Sequence, residues 1–335
     1  MRHIPEGVDV AKTEPSEARK PARFQILSLD GGGIRGVFSA ATLAAIEADL
    51  NTSVADHFDL ITGTSTGGII ALGLGLGLPP RKILKFYTEK GPQIFSNRLG
   101  WRGFLHWVMR KYPDSDIEAA LQGCFSGKLL GQSTKRLVIS SYNIDSNNVY
   151  LFRTPHHEKL RRDHRVPAWK IARATSAAPT FFPPYRGIDN IRLVDGGVWA
   201  NNPTMLGIVE AQGFLGIKAE DIWVLNLGTG QDAYAGPKRL NWGGRLLWAS
   251  EAVDVIMRGQ SIAAHNHAQI LLGKEHVERV NPYAPTGNLS LDGLPEIDVL
   301  ISRAADSSRQ AMPELAAKFF KHKAAPYSPL YQDKK

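Results

Sequence analysis

The sequence is almost without cysteine. Cys124 is the only one among 335 residues, so a disulfide framework within the chain, a cysteine-based zinc cluster and an iron–sulfur site are all excluded. Proteins that do without disulfides are typical of reducing compartments. We therefore expect a cytoplasmic protein.

Long apolar runs are also lacking. The longest apolar stretch, residues 69–78, is interrupted by three glycines and is far shorter than the ~20 residues that cross a bilayer. Residues 1–22 are charged and contain proline, but they have no apolar segment of the kind found in a signal peptide. We expect a soluble protein with a disordered leader over residues 1–22.

The chain has fewer acidic than basic residues. The chain has 40 Lys and Arg against 32 Asp and Glu, which gives a net charge of +8. This excess favours anionic partners such as nucleic acid, nucleotides or acidic lipid surfaces. The length allows one or two domains, but we find no repeat, linker or composition break. We therefore predict one domain over residues 23–323 and a loose tail over residues 324–335.

Apolar runs alternate with segments of helical periodicity along the chain. This alternation predicts a mostly parallel sheet covered by helices on both faces. Strands are predicted at 24–29, 58–62, 136–142, 150–153, 192–195 and 222–227, and helices at 37–50, 66–78, 80–90, 167–175, 203–212 and 244–272.

A Gly-x-Ser-x-Gly motif, Gly63-Thr64-Ser65-Thr66-Gly67, lies between a predicted strand and a predicted helix. In this context the motif is typical of a nucleophile elbow, a strained turn that exposes a catalytic serine. The following helix directs its positive N-terminal end at the serine, where negative charge would develop. The alternative is a glycine-rich turn with a serine that caps the helix.

Two further glycine-rich corners follow predicted strands. The segment Asp30-Gly31-Gly32-Gly33-Ile34-Arg35-Gly36 matches G-x-G-x-x-G, which indicates either a dinucleotide site or an oxyanion hole built from backbone N–H groups. Arg35 would hold that loop or add positive potential. The third corner, Asp195-Gly196-Gly197, places an aspartate at the edge of the sheet where α/β proteins bind ligands, unless it is only an Asx turn.

These three corners, in this order, resemble those of the patatin-like phospholipases. The resemblance extends to the segment Ala172-Arg173-Ala174-Thr175-Ser176-Ala177-Ala178-Pro179-Thr180-Phe181-Phe182-Pro183 and covers about residues 24–230. It implies a three-layer α/β/α fold and a Ser–Asp dyad that cleaves acyl esters of membrane phospholipids and needs no cofactor or metal for its chemistry. The residues implied are Ser65 as nucleophile, Asp195 as base, Gly31, Gly32, Gly33 and Arg35 at the oxyanion hole, and Gly63 and Gly67 at the elbow.

Two segments suggest partners. Residues 153–173 contain seven Lys and Arg against two acidic residues, which indicates a solvated face or a patch for an anionic ligand. Residues 98–111 combine tryptophan and aliphatic residues with basic ones, as an interfacial membrane element or a buried helix would. Aromatic residues are too sparse in the basic segment for single-stranded nucleic acid, so we expect no nucleic-acid partner.

Within the family, the compact size and the first strand resemble bacterial anti-phage effector phospholipases that a cyclic dinucleotide activates. This resemblance implies a cyclic dinucleotide as activator and action at the inner face of the membrane. Two alternatives stay open: a constitutive or toxin-type lipid acyl hydrolase, and a non-catalytic nucleotide-binding regulatory module. The sequence leaves the oligomeric state open.

Overall fold

A seven-stranded sheet forms the centre of the molecule. The computed structural model describes residues 23–95, 112–232, 241–242, 244–281, 283–284, 294 and 297–331. The sheet strands are β1 (Phe24–Leu29), β2 (Leu60–Thr64), β3 (Arg136–Asn143), β4 (Asn148–Arg153), β5 (Leu193–Asp195), β6 (Ile222–Leu227) and β8 (Val277–Val280), while β7 (Gln231–Asp232) and β9 (Tyr283–Ala284) pair separately.

The sheet is mostly parallel. Its order is β4-β3-β2-β1-β6-β8, and β5 also pairs with β3. Neighbouring strands in this order run parallel, except that β4 runs antiparallel to β3. Strand β5 also runs antiparallel to β3. The carboxyl ends of β1, β2 and β6 therefore meet at one edge, which is where a parallel sheet places its site.

Helices cover both faces of this sheet. They are α1 (Gly36–Leu50), α2 (Thr66–Gly75), α3 (Pro80–Ile94), α4 (Asp114–Phe125), α5 (Ala168–Thr175), α6 (Gly197–Ala200), α7 (Thr204–Gly213), α8 (Arg245–Leu272) and α9 (Ile297–Lys318). Side chains alternate along β1, so that Leu27 and Leu29 pack in the larger core and Phe24 and Ile26 in the smaller one. Two cores on opposite faces confirm the predicted three-layer α/β/α fold.

Two predicted boundaries near the site are displaced. The second strand begins at Leu60 rather than Phe58, because the Asp59 N–H and carboxylate are both engaged with the Gln25 backbone. Helix α2 ends at Gly75 rather than Leu78. There Gly77 takes a left-handed φ of 81° and the Leu78 N–H donates to the Gly73 carbonyl at 2.8 Å, as at many helix ends.

The predicted leader, residues 1–22, and the basic, tryptophan-containing segment up to residue 111 lie outside the described residues. Residues 324–331 run along the domain: the Ala324 N–H donates to the Asp56 carbonyl and the Leu330 N–H to the Pro155 carbonyl, both at 2.8 Å. The limits of the domain stay a prediction. Among the described residues, no helix is both long and apolar enough to span a bilayer.

Candidate active site

The pairing of β3 brings Ser65 and Asp195 together. Strand β3 pairs with β2 as far as Thr64, which lies opposite Ser140. The next residue of β3, Ser141, lies opposite Asp195 in the antiparallel strand β5. Because β5 takes over the same edge of β3 where β2 ends, Asp195 lies beside the residue that follows Thr64. The Ser65 side chain lies close enough to the Asp195 carboxylate to lower the pKa of that carboxyl.

Ser65 has the backbone conformation of a strained turn. Its φ is 54° and its ψ is −121°, a combination that L-residues rarely adopt and that costs about 1–3 kcal/mol. The Ser65 N–H donates to Thr175 Oγ1 at 2.9 Å, and the Ser65 carbonyl accepts the Ile69 N–H in the first turn of α2. The turn therefore fixes a serine at the point where strand meets helix.

Gly63 and Gly67 are required by close backbone approach. A Cβ built on Gly63 would lie 2.4 Å from the Gly67 carbonyl oxygen, and one built on Gly67 would lie 2.1 Å from the Leu29 carbonyl oxygen. Both distances are far inside van der Waals contact. The two glycines therefore allow α2 to begin directly against β2 and the end of β1.

Asp195 is a buried carboxylate with few partners. The Gly197 N–H donates to Asp195 Oδ1 at 2.7 Å. Burial penalises the charged form and raises the pKa of Asp195 to about 6, although the hydrogen bonds from Ser65 and Gly197 act in the opposite direction. Within the described ranges, no histidine is hydrogen-bonded to either Ser65 or Asp195.

The first glycine loop lies alongside Ser65. A Cβ built on Gly31 would lie 3.4 Å from Ser65 Cβ. The Gly31 N–H donates to the Asn201 carbonyl at 2.9 Å, whereas the N–H groups of Gly32 and Gly33 have no acceptor among the described residues. Of the three predicted oxyanion donors, Gly32 and Gly33 are thus the two with an open N–H.

Side chains around the loop hold its carbonyl groups. Arg35 Nε donates to the Gly32 carbonyl at 3.2 Å, and Thr229 Oγ1 donates to the Gly31 carbonyl at 2.8 Å. Arg35 therefore contacts the loop, and its role at the oxyanion hole stays a prediction. The position of Thr229 directly behind the loop was not predicted, because β6 and the loop are far apart in sequence.

A buried ion pair anchors the start of the loop. Asp30 accepts hydrogen bonds from Arg279 Nη2 at 2.8 Å and from Asn226 Nδ2 at 2.7 Å. Burial outweighs these partners and raises the pKa of Asp30. Sequence reasoning missed Arg279, since it lies on β8, a strand that the sequence analysis did not predict.

The basic segment 153–173 does not form a continuous charged face. Arg173 is buried, lies 3.4 Å from Glu118 and packs near Phe182, while Arg153 lies 3.6 Å from the buried carboxylate of Glu210. Part of the segment's charge is therefore neutralised within the fold. Among the described residues, no group of three or more His, Cys, Asp or Glu is placed to hold a metal ion.

Ser65 lies in a strained turn between a strand and a helix, beside a buried carboxylate whose pKa it lowers and next to open backbone N–H groups. This is the arrangement of a serine hydrolase. Comparison with known families agrees. The model of the patatin-like phospholipase family matches residues 27–208, which include both Ser65 and Asp195. The chain belongs to the patatin-like phospholipase family, and it is an enzyme of the phospholipase type.

Curated relatives extend the similarity over most of the chain. A cGAMP-activated phospholipase of Pseudomonas aeruginosa is 30% identical over 82% of this chain and 84% of its own length. A cGAMP-activated phospholipase of Escherichia coli is 32% identical over 78% of both chains. The protein of the same name from Vibrio cholerae is 35% identical over 64% of this chain and 66% of its own.

Proposed function

We propose that the protein hydrolyses fatty-acyl esters of membrane phospholipids through a Ser65–Asp195 dyad. The observation that carries this proposal is the position of a strained, buried serine beside a buried carboxylate whose pKa it lowers. A pKa near 6 makes Asp195 a stronger base than an ordinary aspartate, with its usual pKa near 4, and leaves it ionised at neutral pH.

The acylation half-reaction uses both members of the dyad. Ser65 Oγ attacks the ester carbonyl carbon while its proton passes to Asp195. The carbonyl oxygen becomes an oxyanion that the N–H groups of Gly32 and Gly33 stabilise. Collapse of this intermediate breaks the ester bond, and the leaving lysophospholipid oxygen takes the proton from Asp195.

Deacylation repeats the sequence with water. Asp195 accepts a proton from the attacking water, the same N–H groups stabilise the second oxyanion, and the fatty acid leaves as Ser65 regains its proton. Gly31 has no part in this step because its N–H is already bonded to the Asn201 carbonyl. Its role is to fix the loop against the segment that follows Asp195.

Fatty-acid release from phospholipid vesicles tests this proposal. We expect Ser65→Ala and Asp195→Asn each to lower the rate by about 10³-fold or more, since a dyad acts as a unit. Ser146→Ala, in an exposed turn, is the matched control and should retain the wild-type rate. Hydrolysis by Ser65→Ala at the wild-type rate would refute the mechanism.

We further propose that a cyclic dinucleotide activates this enzyme. The support is that the relatives described above are named cGAMP-activated phospholipases. In a cell, such control would restrict hydrolysis of the inner face of the membrane to an anti-phage response. A constitutive lipase is the competing account.

Calorimetry and fatty-acid release with a panel of cyclic dinucleotides distinguish these accounts. We expect cGAMP to give binding heat and to raise the rate of hydrolysis by about tenfold or more, within the usual range of coupling between two sites. Full activity without nucleotide, together with no binding heat, would remove the activator and leave the constitutive lipase.

A further inference from the structure

Thr229 packs closely against the first glycine loop. It lies two residues beyond β6 and is only 4% exposed. A Cβ built on Gly32 would lie 2.2 Å from Thr229 Oγ1 and 2.5 Å from Thr229 Cβ, so the threonine occupies the space that a side chain at Gly32 would need. Thr229 Oγ1 donates to the Gly31 carbonyl at 2.8 Å. The hydroxyl therefore binds the peptide group that joins Gly31 to Gly32.

This peptide group carries one of the two open N–H groups of the loop. The Gly31–Gly32 peptide is trans, so its C=O and its N–H point in opposite directions within one plane. The C=O belongs to Gly31, and the N–H belongs to Gly32, which has no acceptor for it among the described residues. The hydrogen bond from Thr229 to the C=O therefore directs the Gly32 N–H away from Thr229 and leaves it free to bind an oxyanion.

The two glycines do not restrict the orientation of this peptide by themselves. Neither Gly31 nor Gly32 has a Cβ, so the backbone on both sides of the peptide has the conformational freedom that allows it to rotate. A hydrogen bond to one end of the peptide selects one orientation, and the Thr229 hydroxyl supplies that bond. A hydrogen bond to the C=O also polarises the peptide and makes its N–H a stronger donor.

Thr229 is itself held in place on both sides. The Gly228 N–H donates to the carbonyl of Val280, the last residue of β8, at 2.9 Å, and the Gly230 N–H donates to Asn281 Oδ1 at 3.0 Å. Threonine is β-branched, so packing against Gly32 restricts its χ1 angle. The hydroxyl is therefore fixed relative to the sheet, and it holds the loop at a fixed place.

We propose that Thr229 is a positioning residue for the oxyanion hole. Its hydroxyl holds the Gly31–Gly32 peptide so that the Gly32 N–H meets the negative oxygen that forms when Ser65 attacks an ester. This inference rests on the proposed mechanism and on the part that Gly32 has in it. The competing interpretation is that the hydroxyl only satisfies the buried Gly31 carbonyl, which would affect stability and not the rate.

The test removes the hydroxyl and the methyl group of Thr229 separately. Thr229→Val keeps the shape of the side chain and deletes the donor, whereas Thr229→Ser keeps the donor and deletes the methyl group. Thr62→Val is the matched control, because Thr62 is also buried and its Oγ1 donates to the Val138 carbonyl on β3 at 3.0 Å. With cGAMP present, kcat and KM are measured on a soluble short-chain ester and expressed per site labelled by a fluorophosphonate.

We expect Thr229→Val to lower kcat about tenfold, less than the loss of a direct oxyanion donor, and to leave KM within about twofold. Thr229→Ser should retain kcat within about threefold of the wild type, since it keeps the hydroxyl. Thr62→Val should match the wild type in both constants. A wild-type kcat in Thr229→Val, no recovery in Thr229→Ser, or an equal loss in Thr62→Val would overturn the proposal.

Inhibition by a trifluoromethyl ketone separates positioning from stability. Ser65 Oγ bonds to the carbonyl carbon of the ketone, the Ser65 proton passes to Asp195, and the carbonyl oxygen takes the negative charge, so the adduct resembles the oxyanion of the reaction. We expect the inhibition constant to rise about tenfold in Thr229→Val, in parallel with the loss of kcat. A variant that is only less stable would lose labelled sites but keep the wild-type inhibition constant, and that result would overturn the proposal.

Two further arrangements keep the outcome decisive. Thr229→Ala removes the same hydroxyl and cannot crowd the loop, so the same losses are expected from it if Thr229→Val yields no folded protein. A wild-type protein that neither hydrolyses the ester nor takes up the fluorophosphonate would refute the proposed function. A wild-type protein that does both, with Thr229→Val and Thr229→Ala equally active, would refute the role of Thr229 alone.

Discussion

At the scale of single residues, the burial of Asp195 affects both the basicity of its carboxylate and the stability of the fold. Its burial raises its pKa to about 6, and the same burial makes its charged form costly to the fold. The unfolded chain holds this carboxyl at the ordinary pKa near 4. Asp195 therefore lowers the stability of the folded protein at neutral pH, where we propose that it acts as the base for Ser65.

Replacing Asp195 with asparagine should stabilise the protein at neutral pH. The folded pKa lies above the unfolded one, so the folded state binds more protons between about pH 4 and 6, and stability falls as pH rises through that window. At pH 7 to 8 we expect Asp195→Asn to gain up to about 3 kcal/mol in the free energy of unfolding. Near pH 3, where both states hold the proton, wild type and variant should be alike.

Urea unfolding of both proteins at pH 3 and pH 7.5 measures this difference. A variant less stable than the wild type at pH 7.5 would show that the carboxylate is stabilised by its hydrogen bonds rather than strained by burial.

The pH profile of catalysis should report the same group. The base must be ionised to accept the proton of Ser65, so kcat/KM on a soluble ester should rise with pH, reach half its plateau near pH 6 and level off above about pH 7. Rates between pH 4.5 and 8, measured within the range where the protein stays folded, test this expectation. A rate that is flat from pH 5 to 8 would contradict a base with the pKa of Asp195.

At the scale of elements, the turn from β2 to α2 depends on the contact between the start of α2 and the end of β1. The motif predicted Ser65 from local sequence, because small residues two positions on either side are a local requirement of such a turn. The local pattern does not show that β3, which pairs with β2 as far as Thr64, pairs next with β5 along the same edge. Strand β5 itself is predicted from the sequence, at residues 192–195, but its partner is not, because the pairing of β5 with β3 links residues fifty or more positions apart.

Gly67→Ala should damage this turn. The new methyl group would lie 2.1 Å from the Leu29 carbonyl oxygen and 2.7 Å from that of Asp30, so α2 must move away from the glycine loop. We expect a loss of about 1–3 kcal/mol in the free energy of unfolding. A loss of about 100-fold in activity should accompany it, since Ser65 and the oxyanion donors separate.

Gly123→Ala is the control for that substitution. Gly123 lies within α4, and a Cβ built there meets nothing within 4 Å, so this change should raise stability by up to about 1 kcal/mol and leave the rate unchanged. Thermal unfolding and ester hydrolysis of the two variants measure both effects. Full activity in Gly67→Ala would show that the approach of α2 to β1 is not needed for the site.

At the scale of the whole molecule, segments far in sequence from the glycine-rich motifs support the site and the core. Arg279 on β8 pairs with Asp30, and α9 packs along α1 in the larger core. Neither β8 nor α9 is predicted from the sequence, since neither carries a motif and a four-residue strand is a weak signal. The fold class and the placing of Ser65 and Asp195 at one edge of the sheet were predictable because glycine-rich corners mark the carboxyl ends of the strands. The segments that support the site and the core, β8 and α9, are distant in sequence, and long-range pairing and packing position them.

The central claim is that Ser65, activated by Asp195, is the nucleophile of a phospholipase. The most direct measurement is labelling of the intact protein by a fluorophosphonate, with cGAMP present, followed by mass spectrometry to locate the modified residue. We predict one label per chain on Ser65, labelling slowed by about 10³-fold or more in Asp195→Asn, and none in Ser65→Ala. An unlabelled wild-type protein, or a label that persists in Ser65→Ala, would contradict the account.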